Sequence, residues 1–213
     1  MAILDCGPAP VGTISADPAR RINRIPVYRV MPTNITIHTE TADETREVGR
    51  TIGEAASPGD IYLLTGPLGA GKTCLTQGIA RGLGAPGYAR SPTFVLVTRY
   101  QGRLTIHHAD LYRIDHAAEA WDLGLEDIMA AGEEVLIVEW ADRAAEIFPA
   151  DALWIGLDYA ADGSPAACEV IPDADGSVPS RHRISISNAP ERYAALLSQL
   201  TRHFSSAAPG QNS

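Results

Sequence analysis

Two unbroken apolar runs, IYLL at residues 61–64 and VLIV at residues 135–138, interrupt a chain whose apolar positions otherwise alternate or recur at helical spacing. A strand that is apolar on both faces must be covered on both, so these runs predict a sheet held between two helix layers. ALWIGLDY at residues 152–159 reads as a third such strand. ITIH, starting at Ile35, predicts a short strand, and TADETREVGRTIGEAA a helix opened by Thr or Asp with acids in its first turn. Pro58-Gly59 breaks the chain before the strand at residues 61–65, and a helix over about residues 72–82 runs into GLGAPG. Residues 94–100 and 104–108 read as two strands about a Gln101-Gly102 turn, which adds an antiparallel hairpin. Residues 117–131 look helical in two pieces broken near Gly124, 183–187 form an edge strand, and 191–204 an amphipathic terminal helix. The expected class is α/β, with a mixed, mostly parallel sheet. No internal repeat is visible.

Between the first apolar strand and its helix lies Gly66-Pro67-Leu68-Gly69-Ala70-Gly71-Lys72-Thr73, a full G-x-x-x-x-G-K-[ST] phosphate-loop pattern. Glycines admit backbone conformations closed to other residues, so successive N–H groups can turn inward as an anion nest. The helix that starts at the end of the loop adds its N-terminal dipole and unpaired donors. In this arrangement Lys72 reaches the β- and γ-phosphates and the Thr73 hydroxyl ligates magnesium. The architecture expected is therefore a three-layer αβα P-loop NTPase. Its parts are a disordered extension over residues 1–32, an ATPase domain over 33–160, the edge strand and helix over 161–205, and a tail over 206–213. Met31, followed by PTNITIHTE, is a natural start for the domain.

Such a loop needs an acidic partner for magnesium, usually at the end of a neighbouring apolar strand. VLIVEW supplies Glu139, with Trp140 behind it; Asp158 in IGLDY is the rival, nearer the end of the domain. His107-His108-Ala109-Asp110-Leu111-Tyr112-Arg113 follows the hairpin. Asp110 there has two readings, one that positions an attacking water or a metal-bound water and one that caps the next helix with Tyr112 packed beneath. The histidine pair reads as structural, since no Cys or His follows at zinc-like spacing. Ser91-Pro92-Thr93-Phe94 is either a γ-phosphate-sensing switch or a plain turn into a strand.

Composition then narrows the functional classes. Of 17 basic residues 16 are Arg, and the single Lys is Lys72, where a compact ammonium on a flexible stem suits a tight phosphate cradle and a planar fork does not. The formal net charge of −9 excludes a broad nucleic-acid face. Cys6, Cys74 and Cys168 are odd in number and widely spaced, which excludes a disulfide framework and makes the cytoplasm the expected compartment. No apolar run approaches the about 20 residues of a membrane span, and the N-terminus lacks a secretory core.

GPLGAGKT, SPTF, HADLYR, GLEDI, VEW and FPAD, in that order, resemble the TsaE (YjeE-type) ATPases of bacterial tRNA threonylcarbamoyladenosine biosynthesis. The matching pieces span residues 35–159, and SPTF, HxDLYR and VEW carry more of the specificity than the loop. The resemblance implies a small ATP- and Mg²⁺-binding protein that hydrolyses ATP slowly. It implies TsaD and TsaB as partners, a pair that moves a threonylcarbamoyl group onto adenosine 37 of ANN-reading tRNAs. Contact with tRNA would run only through that complex, with no membrane involved. It also implies nucleotide contacts at Gly66, Leu68, Gly69, Ala70, Gly71, Lys72, Thr73 and Cys74. Trp140 would lie beside the nucleotide, and Thr45 where the N-terminal segment approaches the base. Thr73 and Glu139 resemble the magnesium ligands, while Lys72, Asp110 and Glu139 are the expected catalytic set. Two departures stand out: Pro67 where many members carry an acid, and Ala141 where many have proline.

Two other functions fit a phosphate loop. A small-molecule kinase needs an Arg-bearing lid, and no Arg cluster lies between Arg113 and Arg143. A non-catalytic switch driven by ATP occupancy stays open. A GTPase does not, because its guanine-reading NKxD motif needs a second lysine.

Overall fold

The computed structural model describes residues 29–86, 96–160 and 181–204. Its strands are β1 (Asn34–Thr39), β2 (Ile61–Thr65), β3 (Val97–Gln101), β4 (Thr105–Asp110), β5 (Val135–Glu139), β6 (Leu153–Tyr159) and β7 (His182–Ser187), joined in one sheet ordered β1-β7-β6-β2-β5-β4-β3. The two unbroken apolar runs, β2 and β5, are parallel neighbours near its centre. Successive side chains of a strand face opposite ways, so Tyr62 and Leu64 enter one core and Ile61 and Leu63 the other. The first core lies under α1 (Ala42–Ala55), α2 (Lys72–Gly82) and α5 (Ala194–Phe204). The second lies under α3 (Ala117–Trp121), α4 (Leu125–Ala131) and the 3-10 segment Ala141–Ile147. The result is the expected α/β sandwich of three layers. No described helix is long and apolar enough to cross a membrane.

Three details differ from the sequence reading. Residues 182–187 form an interior strand, not an edge: β7 pairs antiparallel with β1 on one side and with β6 on the other. Its HRISIS alternation buries Ile184 and Ile186 while the opposite face is only half covered, a pattern that edge strands and half-open interior strands share. The sheet is mixed but not mostly parallel, since three of its six pairings (β1–β7, β6–β7 and β3–β4) are antiparallel. Residues 30 and 31, placed in the expected extension, are joined to the domain. Met31 N–H donates to Ala189 O at 2.9 Å, and Val30 bridges Pro190. Residues 1–28, 87–95, 161–180 and 205–213, with Cys6 and Cys168, lie outside the described residues.

Local chemistry sets the two helices nearest the loop. Thr41 caps α1, its hydroxyl accepting the Glu44 N–H at 3.2 Å while the Glu44 carboxylate accepts the Glu40 N–H at 2.6 Å. Losing this cap in Thr41→Ala is expected to cost about 1 kcal/mol, read as a lower urea midpoint at unchanged slope. α1 and α2 then cross at unusually close range through four glycines. A Cβ at Gly78 would lie 2.1 Å from Arg46 O, at Gly82 2.2 Å from Arg50 O, at Gly49 2.3 Å from Leu75 O and at Gly53 2.1 Å from Ile79 O. Backbone meets backbone there, with no room for a side chain.

Candidate nucleotide site

β2, β5 and β4 run parallel and end together, with Leu64 opposite Glu139 and Glu139 opposite Asp110. The site sits at these carboxyl ends, where ligands gather in α/β sheets. From Thr65 the chain turns through the glycine loop into α2, with Gly66, Gly69 and Gly71 at φ of 130°, 81° and 92°. These are left-handed or wider values that other residues adopt only with strain. Gly66 is fixed by space as well, since a Cβ there would lie 1.9 Å from Leu157 O.

Lys72 opens α2 and folds back over the loop. Its Nζ donates to Gly66 O at 2.6 Å and to Pro67 O at 2.8 Å, and lies 3.6 Å from the centre of the Trp140 ring. Burial pulls its pKa below the ordinary lysine value, opposed by the carboxylates of Glu139, Asp142 and Asp110. Trp140 is held in the left-handed region at φ 60°, which turns its ring between Lys72 and Tyr112, whose ring centre is 4.9 Å away. The Arg143 guanidinium lies 5.3 Å from the Tyr112 ring and donates to Ile114 O at 2.8 Å.

Glu139 ends β5 with 2% of its surface exposed. Oε2 accepts from the Thr73 hydroxyl at 2.8 Å. Oε1 accepts from the Thr76 hydroxyl at 3.0 Å and from His108 Nε2 at 2.9 Å. A carboxylate only accepts, so His108 carries its proton on Nε2. The sequence reading of His108 as structural therefore needs refinement, because what it supports is the acid itself. Thr76 was missed, although it lies three residues after Thr73 and so on the same helix face. The rival acid Asp158 is exposed and paired with Arg183 at 2.9 Å.

Asp110 is buried at the end of β4, and its Oδ1 accepts the Tyr112 N–H at 3.0 Å. This contact closes a short turn and does not cap a helix, because the N-cap of α3 is His116; Asp110 stands opposite Glu139 in the parallel register. Leu68 projects from the loop with 69% of its surface exposed, whereas Ala70 is buried beneath it. Cys74 is a half-buried free thiol in the first turn of α2, and burial raises its pKa. Thr45 is fully buried, its hydroxyl paired with Thr39 Oγ1 at 2.8 Å. Ser91, Pro92, Thr93 and Phe94 lie outside the described residues.

Among the described residues no three His, Cys, Asp or Glu side chains cluster to hold a metal by themselves. The paired Thr73 hydroxyl and Glu139 carboxylate fit an ion of another kind. Magnesium commonly takes one or two protein oxygens and completes its shell with phosphate oxygens and water.

A strand, a glycine loop and a helix whose threonine meets an acid from the adjacent parallel strand define the P-loop NTPase fold. Residues 39–165 match the family model described as "Threonylcarbamoyl adenosine biosynthesis protein TsaE". The chain belongs to the TsaE family of tRNA threonylcarbamoyladenosine biosynthesis. It is 34% identical over 166 residues to the tRNA threonylcarbamoyladenosine biosynthesis protein TsaE of Bacillus subtilis (strain 168), covering 78% of this chain and 92% of that one. With the protein of the same name from Treponema pallidum (strain Nichols) it shares 36% identity over 126 residues, 59% of this chain and 93% of the relative. The crystal structure of YdiB from Bacillus subtilis superposes with a TM-score of 0.61 at 30% identity, covering 81% of this chain and 97% of that one.

Proposed function

We propose that this chain binds ATP with magnesium and hydrolyses it slowly, releasing the γ-phosphate to water, in support of the TsaD–TsaB pair that modifies tRNA in the cytoplasm. The observation that carries the reading is the Thr73–Glu139 contact of 2.8 Å, which joins the phosphate loop to the acid of the next parallel strand. A magnesium ion held by these two oxygens would draw charge from the phosphate oxygens. The chain's own residues do the rest. Loop N–H groups and the start of α2 bind the polyphosphate, and Lys72 adds a cation above them. His108 and Thr76 fix one oxygen of Glu139 so that the other faces Thr73. Asp110, pinned by the Tyr112 N–H, is assigned to orient the attacking water. The net charge of −9 supports tRNA contact through the partners rather than through this chain.

The test is ATP turnover by the full chain, alone and with its own TsaD and TsaB, beside Lys72→Ala. Low basal turnover is expected to rise with the partners and to vanish in the variant. Turnover indifferent to TsaD and TsaB, or stoichiometric transfer of the γ-phosphate to a metabolite, would overturn the reading.

A further inference from the structure

The back of the phosphate loop is held by two side chains from β6 and β7, outside every motif that marked the site in the sequence. Tyr159 and His182 are register partners across that antiparallel pair. The Tyr159 hydroxyl donates to Leu68 O, and His182 Nε2 lies 3.1 Å from Gly69 O. A carbonyl only accepts, so the His182 proton sits on Nε2, and burial lowers the pKa of the ring. The same two side chains fill the space a larger loop residue would need. A Cβ at Gly69 would lie 2.9 Å from the Tyr159 hydroxyl, and one at Gly71 would lie 2.9 Å from His182 Nδ1.

In a trans peptide the C=O of one residue and the N–H of the next point in opposite directions. Holding the Leu68 carbonyl outward therefore turns the Gly69 N–H inward, and holding the Gly69 carbonyl outward does the same for Ala70. In this structure the Ala70 N–H donates at 3.2 Å to Pro67 O, the carbonyl that also accepts from Lys72 Nζ, a turn contact that a bound phosphate oxygen would replace. We infer that Tyr159 and His182 are positioning residues for phosphate binding: by clamping two successive loop carbonyls they set the direction of two donors in the anion nest. The inference rests on the nucleotide-binding reading above. It gives residues 159 and 182 a role at the nucleotide site that nothing in their local sequence announces.

The experiment measures ATP affinity and melting temperature for the full chain and its variants. Tyr159→Phe removes one oxygen. His182→Phe keeps a ring without the donor, and His182→Gln offers a side-chain amide N–H close to the position of Nε2. The double variant Tyr159→Phe/His182→Phe is expected to bind ATP at least about 10-fold more weakly. Exchanging Phe for Gln at residue 182 in that background should restore affinity to within about 3-fold of Tyr159→Phe alone. Purely structural side chains would lower the melting temperature and leave the affinity of the folded protein unchanged, and that result overturns the inference. If the double variant does not fold, Tyr159→Phe alone decides: about 3-fold weaker binding supports the clamp, and equal binding overturns it. Lys72→Ala separates the two levels. Wild-type protein that binds no ATP removes the nucleotide reading and the clamp together. Wild-type binding that is lost in Lys72→Ala but kept in the double variant removes the clamp alone.

Discussion

Glu139→Gln is expected to abolish the response to magnesium while leaving the fold intact. The amide keeps the shape of the side chain, its oxygen can still accept from Thr76 and His108, and its N–H₂ can donate to the Thr73 hydroxyl that now donates to Oε2. Only the charge is lost. Melting temperature should therefore change little, because removing a buried charge while keeping its hydrogen bonds is close to neutral for stability. On the proposed reading magnesium would then lack its anionic protein ligand, and turnover should fall at least about 100-fold, a barrier increase of about 2.7 kcal/mol. ATP binding without magnesium should stay within about 3-fold of wild type, since the loop and Lys72 are untouched. Titrating ATP with and without magnesium, beside steady-state turnover, separates the two effects. Unchanged turnover with an unchanged magnesium response would remove Glu139 from the role.

Gly78→Ala is the second large effect, and intrinsic propensity predicts the wrong sign for it. Alanine in place of glycine within an exposed helix stabilises by about 1 kcal/mol. Here the added methyl would meet Arg46 O at 2.1 Å and Arg46 C at 2.8 Å, both backbone atoms that no rotamer change can move. The helices must separate, which loses the close packing of Leu75 and Ile79 against α1. A net loss of about 2 kcal/mol or more is expected, or about 4–8 °C in melting temperature for a chain of this size. The displacement reaches the site as well, because α2 also carries Thr73 and Thr76, so ATP affinity should fall with stability. A melting temperature equal to wild type would show that α1 and α2 can slide apart at no cost.

These glycines mark one limit of what the sequence discloses. Gly49, Gly53, Gly78 and Gly82 each count locally against a helix, and nothing along the chain pairs the first two with the second two. Their meaning appears only once α1 and α2 cross. The central strands were legible because an all-apolar run admits few alternatives. The loop was legible because its chemistry fixes residue types at fixed spacing. Glu139 followed from the need for an acid at a strand end, and the structure sets Thr73 and Glu139 together. Strand order was not legible, so β7 looked like an edge and His182 looked like nothing. His108 and Thr76 lay within reach of sequence reasoning, one two residues before Asp110 and the other one helix turn past Lys72. Their shared partner Glu139 is 31 residues from the first and 63 from the second, so only the fold could join them.

The interior position of β7 also governs how the chain can be assembled in time. Among the described residues β1 is the first strand to be synthesised, and it pairs there only with β7, the last. As the chain leaves the ribosome, β1 must wait unpaired while the 142 residues between Thr39 and His182 emerge. Pairings so distant along the chain are slow to close and leave an edge exposed meanwhile. The glycine loop, complete by residue 73, likewise waits for His182. A nascent or prematurely terminated chain would carry the whole phosphate-binding signature and lack the strand that seats it. Competence to hold nucleotide would then arrive late in synthesis, with completion of the sheet rather than with the motif.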